Sequence, residues 1–316
     1  MLNSERQTGE GFRLRKTLQF PQPGDRDMTL DLIQPPVQMD IACNPVLRPA
    51  EDILGRIGHL ETRLARTPAE IDAAQAVRYR VFAEEMSARL TPDAVRRRRD
   101  TDAWDMVCDH LLVLDTAIAG DAVDQIVGTY RLLRQDVAAI SGGFYSQSEF
   151  DVDALVARHP QKRFMELGRS CVLPAYRTRR TVELLWQGCW AYALKHGADA
   201  MFGCASFPGR IPAEHALALS FLHHNVRATD EWSVEALPQF HRTMDMMPAE
   251  GIDMRKALAA MPPLVKGYLR LGASVGTGAV VDHAFGTTDV LVVLPIGRIS
   301  GRYINYYGAD AGRFSS

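Results

Sequence analysis

The chain contains no apolar run near the roughly 20 residues that a membrane-crossing helix needs. It also shows no charged-then-apolar opening of the kind that directs secretion. Its five cysteines (Cys43, Cys108, Cys171, Cys189 and Cys204) are an odd, scattered set without a Cys-x-x-Cys pair. That pattern argues against a disulfide framework or a structural zinc and for a reducing compartment. There is no excess of either charge: 36 basic against 38 acidic residues leave a formal −2, so no global field favours nucleic acid. Internal repeats are absent. A cytoplasmic protein is expected, with at most peripheral contact to the inner face of a membrane.

What remains is ample for a folded enzyme. With 316 residues and 47% hydrophobic content, the chain can bury a full core. Residues 1–55 carry Pro21, Pro23, Pro35, Pro36, Pro45 and Pro49 with weak periodicity and are expected to form a loose extension. Order should begin before Thr67-Pro-Ala-Glu70, a capping box with proline at the first helical position. Strands are expected at 110–115, 125–133 and 288–295, one closing at Met244–Asp245, and a short helix around 146–160. Further helices are expected from Glu214 to His224 and over 250–271, the latter broken at Pro262-Pro263.

The most informative stretch runs from Arg163 through Phe164-Met-Glu166-Leu-Gly-Arg169 to Pro174-Ala-Tyr-Arg177-Thr-Arg179-Arg180-Thr181. It reads as a strand carrying one carboxylate, a turn with three guanidiniums, and a helix starting near Thr181, with Val182, Leu185, Trp186, Cys189, Ala193 and His196 on one face. A helix N-terminus behind basic side chains is a seat for phosphate. A carboxylate in the adjoining strand suits a proton acceptor. A second strand, Asp199–Phe207, completes a βαβ unit. An anion seat beside a base fits group transfer from a carrier with a phosphorylated arm.

The order Val172-Leu-Pro-Ala-Tyr-Arg177, helix, strand resembles the donor-binding core of the GNAT N-acyltransferases. Further segments widen the resemblance: Arg78-Tyr-Arg-Val-Phe82, Asp102-Ala-Trp-Asp105, Cys108-Asp-His-Leu-Leu112, Val127-Gly-Thr-Tyr-Arg131 and Glu166-Leu-Gly-Arg169 resemble the acyl-homoserine-lactone synthases. Met201–Pro208, Pro262–Arg270 and Phe285–Val290 extend it to the L-ornithine Nα-acyltransferases, over roughly residues 60–310. The resemblance implies an α/β fold of GNAT type, a mixed central sheet with splayed strands flanked by helices. It would fill 56–316, with a family-specific helical part near 225–275 and a final strand. It also implies transfer of a 3-hydroxyacyl chain from acyl carrier protein to the α-amine of L-ornithine, giving lyso-ornithine lipid, with no cofactor beyond the carrier's phosphopantetheine thioester. The donor arm would lie along Cys171, Val172, Leu173, Arg177, Arg179, Arg180 and Thr181. Arg180 and Val182 stand where that family usually places glycine and small residues, which favours a carrier protein over CoA. An acyl-homoserine-lactone synthase, and a non-catalytic carrier- or membrane-binding module, are the alternatives.

Several residues carry two readings. Arg78 falls on the apolar stripe of its helix: it either pairs with Asp102 or Asp105 and shapes an acceptor pocket, or lays its stem on the core and reaches water. Asp102 and Asp105 can hold an ammonium while Arg78 or Arg131 takes a carboxylate, with Arg169 beside them; the alternative is a solvated acidic loop. Glu166 is either the general base, its pKa raised by burial, or one half of a structural ion pair. Lower weight attaches to the Gly272–Gly278 glycines, whose spacing is wrong for a nucleotide loop. His223-His224 lacks metal-ligand spacing, so no metal is expected. Cys204 reads as a buried strand thiol. Arg96–Arg99 is a solvated run or a dock for acidic carrier protein or anionic lipid, and the basic, apolar helices of 255–271 either pack on the core or lie on lipid.

Overall fold

The computed structural model describes residues 53–299; the expected N-terminal extension falls almost entirely outside the described residues. The architecture is α/β. Strands β1 (Ile53–Ile57), β2 (Leu60–Leu64), β3 (Asp109–Asp115), β4 (Ile126–Arg134) and β5 (Phe164–Val172) form an antiparallel run, each pairing with the next. Strand β6 (Ala200–Pro208) joins β5 in parallel. Beyond it come β9 (Thr287–Pro295), β7 (Ser274–Val275) and β8 (Val280–Asp282), all antiparallel to their partners.

The β1–β2 hairpin is absent from the sequence reading because its alternation is inverted. Arg63 is buried on β2 and is held there by Glu70, whose carboxylate takes its guanidinium at 2.6 Å, and by the Leu64 carbonyl at 2.9 Å. This changes the expected capping box of α1 (Pro68–Tyr79). Thr67 accepts from the Glu70 N–H as foreseen, while the Glu70 carboxylate turns to Arg63 and to the Arg66 N–H.

Between β5 and β6 runs α3 (Arg179–Lys195), a shorter basic helix, α2 (Pro92–Arg97), having come earlier in the chain. Thr178, not Thr181, caps α3: its hydroxyl accepts the Thr181 N–H. Leu185, Trp186, Cys189 and Ala193 of the expected face are buried, Val182 is exposed, and the buried face is wider than expected, taking in Thr181, Leu184, Trp190 and Tyr192. Val152–Ala157 is the short helix expected around 146–160, and Ala122–Gln125 and Gln135–Ile140 are short helices that were not expected. Helices α4 (Ala216–Asn225), α5 (Met254–Ala260) and α6 (Pro263–Leu271) match the reading, with the break at Met261–Pro262. No strand forms at Met244–Asp245. There the backbone bonds to the Ser220 hydroxyl of α4, which donates to Met244 O and accepts from the Met246 and Met247 N–H groups.

Helix α6 packs on the core. Val265, Tyr268 and Leu271 are buried, Tyr268 lies edge-on to Trp186, and its hydroxyl meets that of Tyr130 at 2.6 Å. Helix α5 buries only Ala257 and leaves Met254 and Leu258 exposed beside Arg255 and Lys256. Among the described residues no helix is long and apolar enough to cross a membrane.

Candidate active site

Strands β5 and β6 stay paired for only three residues, Phe164↔Ala200 to Glu166↔Phe202, and then part. The parting point is set by a close approach: a Cβ on Gly203 would overlap the Leu167 carbonyl oxygen. Above it a Cβ on Gly168 would meet nothing within 4 Å, so the wedge between the strands is open beside β5. Strand β5 also bulges against β4, the register shifting between Thr129 and Arg131, and Arg169 adopts a left-handed backbone with φ 52°. Such a bulge re-aims side chains next to functional sites. Strand alternation then puts Glu166 and Gly168 of β5, Phe202, Cys204 and Ser206 of β6, and Asp289 and Leu291 of β9 on one sheet face.

Glu166 lies at the base of the wedge and is buried. Both its oxygens are committed: Oε1 accepts the Ser146 N–H at 2.8 Å and the Ser146 hydroxyl at 2.6 Å, and Oε2 accepts the Tyr145 N–H at 2.7 Å. Burial pushes its pKa up, and these three donors pull the other way. In this geometry Glu166 anchors the 144–149 loop to the sheet.

The expected acceptor residues come together as one ionic network. Arg78, fully buried, donates to Asp100 at 2.8 Å and to both oxygens of Asp105 at 2.8 and 2.7 Å. Arg131 bridges Asp102 and Asp105, and Arg169 reaches Asp102 at 3.0 Å. Burial alone would raise the Asp105 pKa, but the Arg78 hydrogen bond and the charges of Arg78 and Arg131 hold it well below the usual carboxylate range. Asp102 also caps its own short turn through the Trp104 N–H. Arg78 and Arg131 therefore spend their donors inside the protein and form the floor of the site. Arg169 joins the same network, 3.3 Å from Asp100 and 3.0 Å from Asp102, and its guanidinium is held between the rings of Tyr145 (4.9 Å) and Phe285 (4.5 Å).

The turn before α3 carries the remaining expected residues. Arg177 is clamped by Glu85 at 2.5 and 2.6 Å and donates to the Val172 carbonyl. Glu85 ends the wide π turn, Arg80–Glu85, that prolongs α1. Arg179 is exposed and pairs with Glu183; Arg180 is exposed. Cys171 turns its side chain into the core under α1, where burial pushes the thiol up to about 12. Val172 and Leu173 are half-buried at the strand end.

Two carboxylates, Glu149 and Asp282, escaped the sequence reading; a third beside them, Asp289, is with Asp102 and Asp105 an alternative to Glu166 as the base. Glu149 follows the anchored loop, Asp282 ends β8, and Asp289 opens β9. Burial pushes Glu149 up to about 8, with the charges of Asp289 and Asp282 next in weight. Asp289, 6% exposed, is pushed up to about 6 by burial, against the Ser206 and Thr287 hydroxyls. Its Oδ1 has no hydrogen-bond partner. The same burial and the Glu149 charge keep the Cys204 thiol protonated, its pKa well above the ordinary value. One sequence signal pointed here: Asp289 lies inside the Phe285–Val290 motif. Glu149 had none, because nothing local says that its loop folds over the wedge.

Elsewhere, His223 and His224 share Asp245, with ligand atoms within 4.8 Å of one another. The His224 ring is also engaged by the Met247 carbonyl at 3.0 Å.

A mixed sheet parted beside a basic helix start, with a buried ionic floor, defines an N-acyltransferase of the GNAT class, and residues 77–187 match the Acetyltransferase (GNAT) domain model. The chain belongs to the L-ornithine N(alpha)-acyltransferase family. It is 75% identical to the enzyme of that name from Rhizobium meliloti over 86% of this chain and 92% of that one. The corresponding Agrobacterium fabrum protein is 70% identical, over 84% of this chain and 90% of that one. For Brucella abortus the identity is 61%, over 83% and 93%. Among solved structures, the N-acyl amino acid synthase FeeM from uncultured soil microbes aligns at 12% identity and a TM-score of 0.43, covering 75% of this chain and 91% of that chain; so distant a likeness carries no further weight.

Proposed function

We propose that the chain transfers a 3-hydroxyacyl group from acyl carrier protein to the α-amine of L-ornithine, releasing lyso-ornithine lipid. The observation that carries this reading is the open wedge between β5 and β6, closed at its base by Gly203 and Glu166 and flanked by the Arg177–Thr181 turn. Relatives covering most of the chain bear the ornithine name. The phosphopantetheine arm enters past Arg179 and Arg180 at the start of α3, where the helix N-terminus and the guanidiniums favour an anion. Arg177, already neutralised by Glu85, contributes orientation rather than free charge. The turn carries no glycine for close backbone approach to a pyrophosphate, so the single phosphate of a carrier-bound arm fits better than CoA. The exposed Arg96 and Arg97 of α2 suit an acidic carrier.

The chemistry asks little of the protein beyond placement and proton handling, since a thioester is already activated. The amine nitrogen attacks the thioester carbon, the tetrahedral oxyanion collapses, and the C–S bond breaks. The buried network of Arg78, Arg131 and Arg169 with Asp100, Asp102 and Asp105 fixes the floor on which the amino acid sits. From it Arg169 is the group placed to receive the α-carboxylate. Glu166, accepting three hydrogen bonds from Tyr145 and Ser146, holds the loop above. Incubating the purified chain with 3-hydroxyacyl carrier protein and a panel of amino acids tests the proposal. Acylation of ornithine is expected, and a lactone product or acylation of another amino acid in preference rejects it.

A further inference from the structure

An acceptor with an α-amine, a side-chain amine and a carboxylate needs one fixed cation and at least two anions around it. The wedge holds that set. Arg169 is gripped by Tyr145 and Phe285 from β5's bulge. Around it stand Glu149 from the loop, Asp282 from β8 and Asp289 from β9, each raising the energy of charge on its neighbours. Among the described residues Arg169 is the cation that acts on Glu149 and Asp289, and its charge does not offset their burial as Arg78 offsets that of Asp105.

The cluster is more than an acidic patch. Asp289 is 6% exposed, and its Oδ1 is buried without a hydrogen-bond partner. A buried carboxylate oxygen left unpaired is costly, a cost that a bound ammonium removes. A Cβ on Gly168 across the wedge would find no neighbour within 4 Å, so there is room beside β5 for a ligand. The face carries opposite charges: Arg169 on β5, and Asp282 and Asp289 on β8 and β9 beyond β6.

We infer that Glu149, Asp282 and Asp289 seat the two amino groups of a diamino-acid acceptor, Asp289 with Asp282 holding the side-chain ammonium and Glu149 taking the proton from the α-amine. This rests on the proposed acylation of ornithine. The step balances as follows. The α-ammonium gives one proton to Glu149 and becomes a nucleophile. Its nitrogen bonds to the thioester carbon, and collapse of the tetrahedral adduct expels the phosphopantetheine thiolate. The second nitrogen proton goes to that thiolate, and Glu149 passes the first to water. A carboxyl near 8 matches an amine that must be deprotonated near neutral pH. The charged and titratable groups facing Glu149 are Asp282, Asp289, Glu166 and Arg169, with Tyr145 and Cys204 beside them.

The test uses the full chain with holo carrier protein, and calorimetry of L-ornithine against norvaline, the same skeleton without the side-chain amine. Ornithine should bind roughly 10- to 100-fold more tightly than norvaline, and Asp289→Asn should erase most of that gap. Asp282→Asn, which keeps the oxygen that accepts from Ala284 and Phe285, is the second variant should the first not fold. Equal binding of the two amino acids, or a gap that persists in both variants, overturns the inference. Glu149→Gln should lower kcat by about 10²–10⁴ near neutral pH, with partial recovery as pH rises; an unchanged pH profile overturns its role. Ornithine binding that depends on Asp289 but yields no acylated product rejects the acyl-transfer reading instead and leaves the amine seat standing.

Discussion

Ser146 gives Glu166 two hydrogen bonds, from its N–H at 2.8 Å and its hydroxyl at 2.6 Å, both to the same carboxylate oxygen. With the Tyr145 N–H on the other oxygen, a buried carboxylate ties a loop of the active-site face to the sheet. Glu166→Gln replaces one acceptor oxygen with a donor facing a donor. A melting curve should show a loss of about 2–4 kcal/mol, and the activity lost should track the fraction unfolded rather than return at high pH. A stable variant with kcat lowered and rescued by alkali would put the base back at Glu166.

Asp289 and Glu149 give a stability effect of opposite sign. Their folded pKa values, about 6 and about 8, lie above the ordinary 3.8 and 4.5. The folded state therefore holds protons that the unfolded chain releases, and its stability from these groups falls as pH rises through 4 to 8. Asp289→Asn should raise the melting temperature by roughly 2–6 °C near pH 8, about half as much near pH 5, and change it little near pH 3. A variant that gains stability while losing acceptor binding is the signature of a site held against its own repulsion.

Arg78 sets the acid limit. Asp105 is held well below its ordinary pKa by Arg78 and Arg131, and Glu70 is lowered by Arg63 against the opposing effect of burial. Depressed carboxylates contribute stability above their unfolded pKa, and it is lost as pH drops below about 4. Arg78→Met leaves Asp100 and Asp105 buried without their cation, and chemical denaturation should register a loss of about 3–5 kcal/mol.

For the donor, charge reversal at Arg179 and Arg180 together should raise the carrier-protein KM about tenfold while kcat holds, because the contacts are made in ground and transition states alike. Initial-rate measurements at fixed ornithine decide it; a fall in kcat with KM unchanged would move these residues out of donor binding.

If the product is the single-chain lipid proposed above, it leaves into a bilayer, and the exposed Met254, Arg255, Lys256 and Leu258 of α5 are the residues to test for contact with anionic lipid. Sedimentation with anionic vesicles at low salt should retain the wild type, and Arg255→Glu with Lys256→Glu should release it. Retention of both proteins alike would remove α5 from membrane contact.

The regular elements were legible because their periodicity was intact: β9, α1 and the helix pair broken at Pro262 follow directly from apolar spacing and proline. The β1–β2 hairpin was not, since Arg63 sits inside and depends on Glu70 across the turn. Met244–Asp245 read as a strand because its apolar residue is buried, yet its backbone partner is the side chain of Ser220. In the site, Arg78 was visible as a charge on an apolar stripe, and a pairing with Asp102 or Asp105 followed from the cost of stranding it; Asp105 is the partner, and the second one, Asp100, was not foreseen. Glu149 was invisible because its importance arises only when the loop after β4 is pinned over the wedge by Glu166. A pattern of spacings records local periodicity; it does not record which distant carboxylates a tertiary fold brings face to face.

The most direct test of the account is the product itself. The purified chain, given 3-hydroxyacyl carrier protein, the matched CoA thioester and L-ornithine, should release a mono-acylated ornithine whose amide lies on the α-nitrogen by fragmentation mass spectrometry and NMR. Its kcat/KM should be at least about tenfold higher with the carrier-bound donor, as a turn lacking pyrophosphate-cradling glycines predicts. Acylation at the side-chain nitrogen, equal efficiency with the CoA thioester, or no amide at all would contradict it.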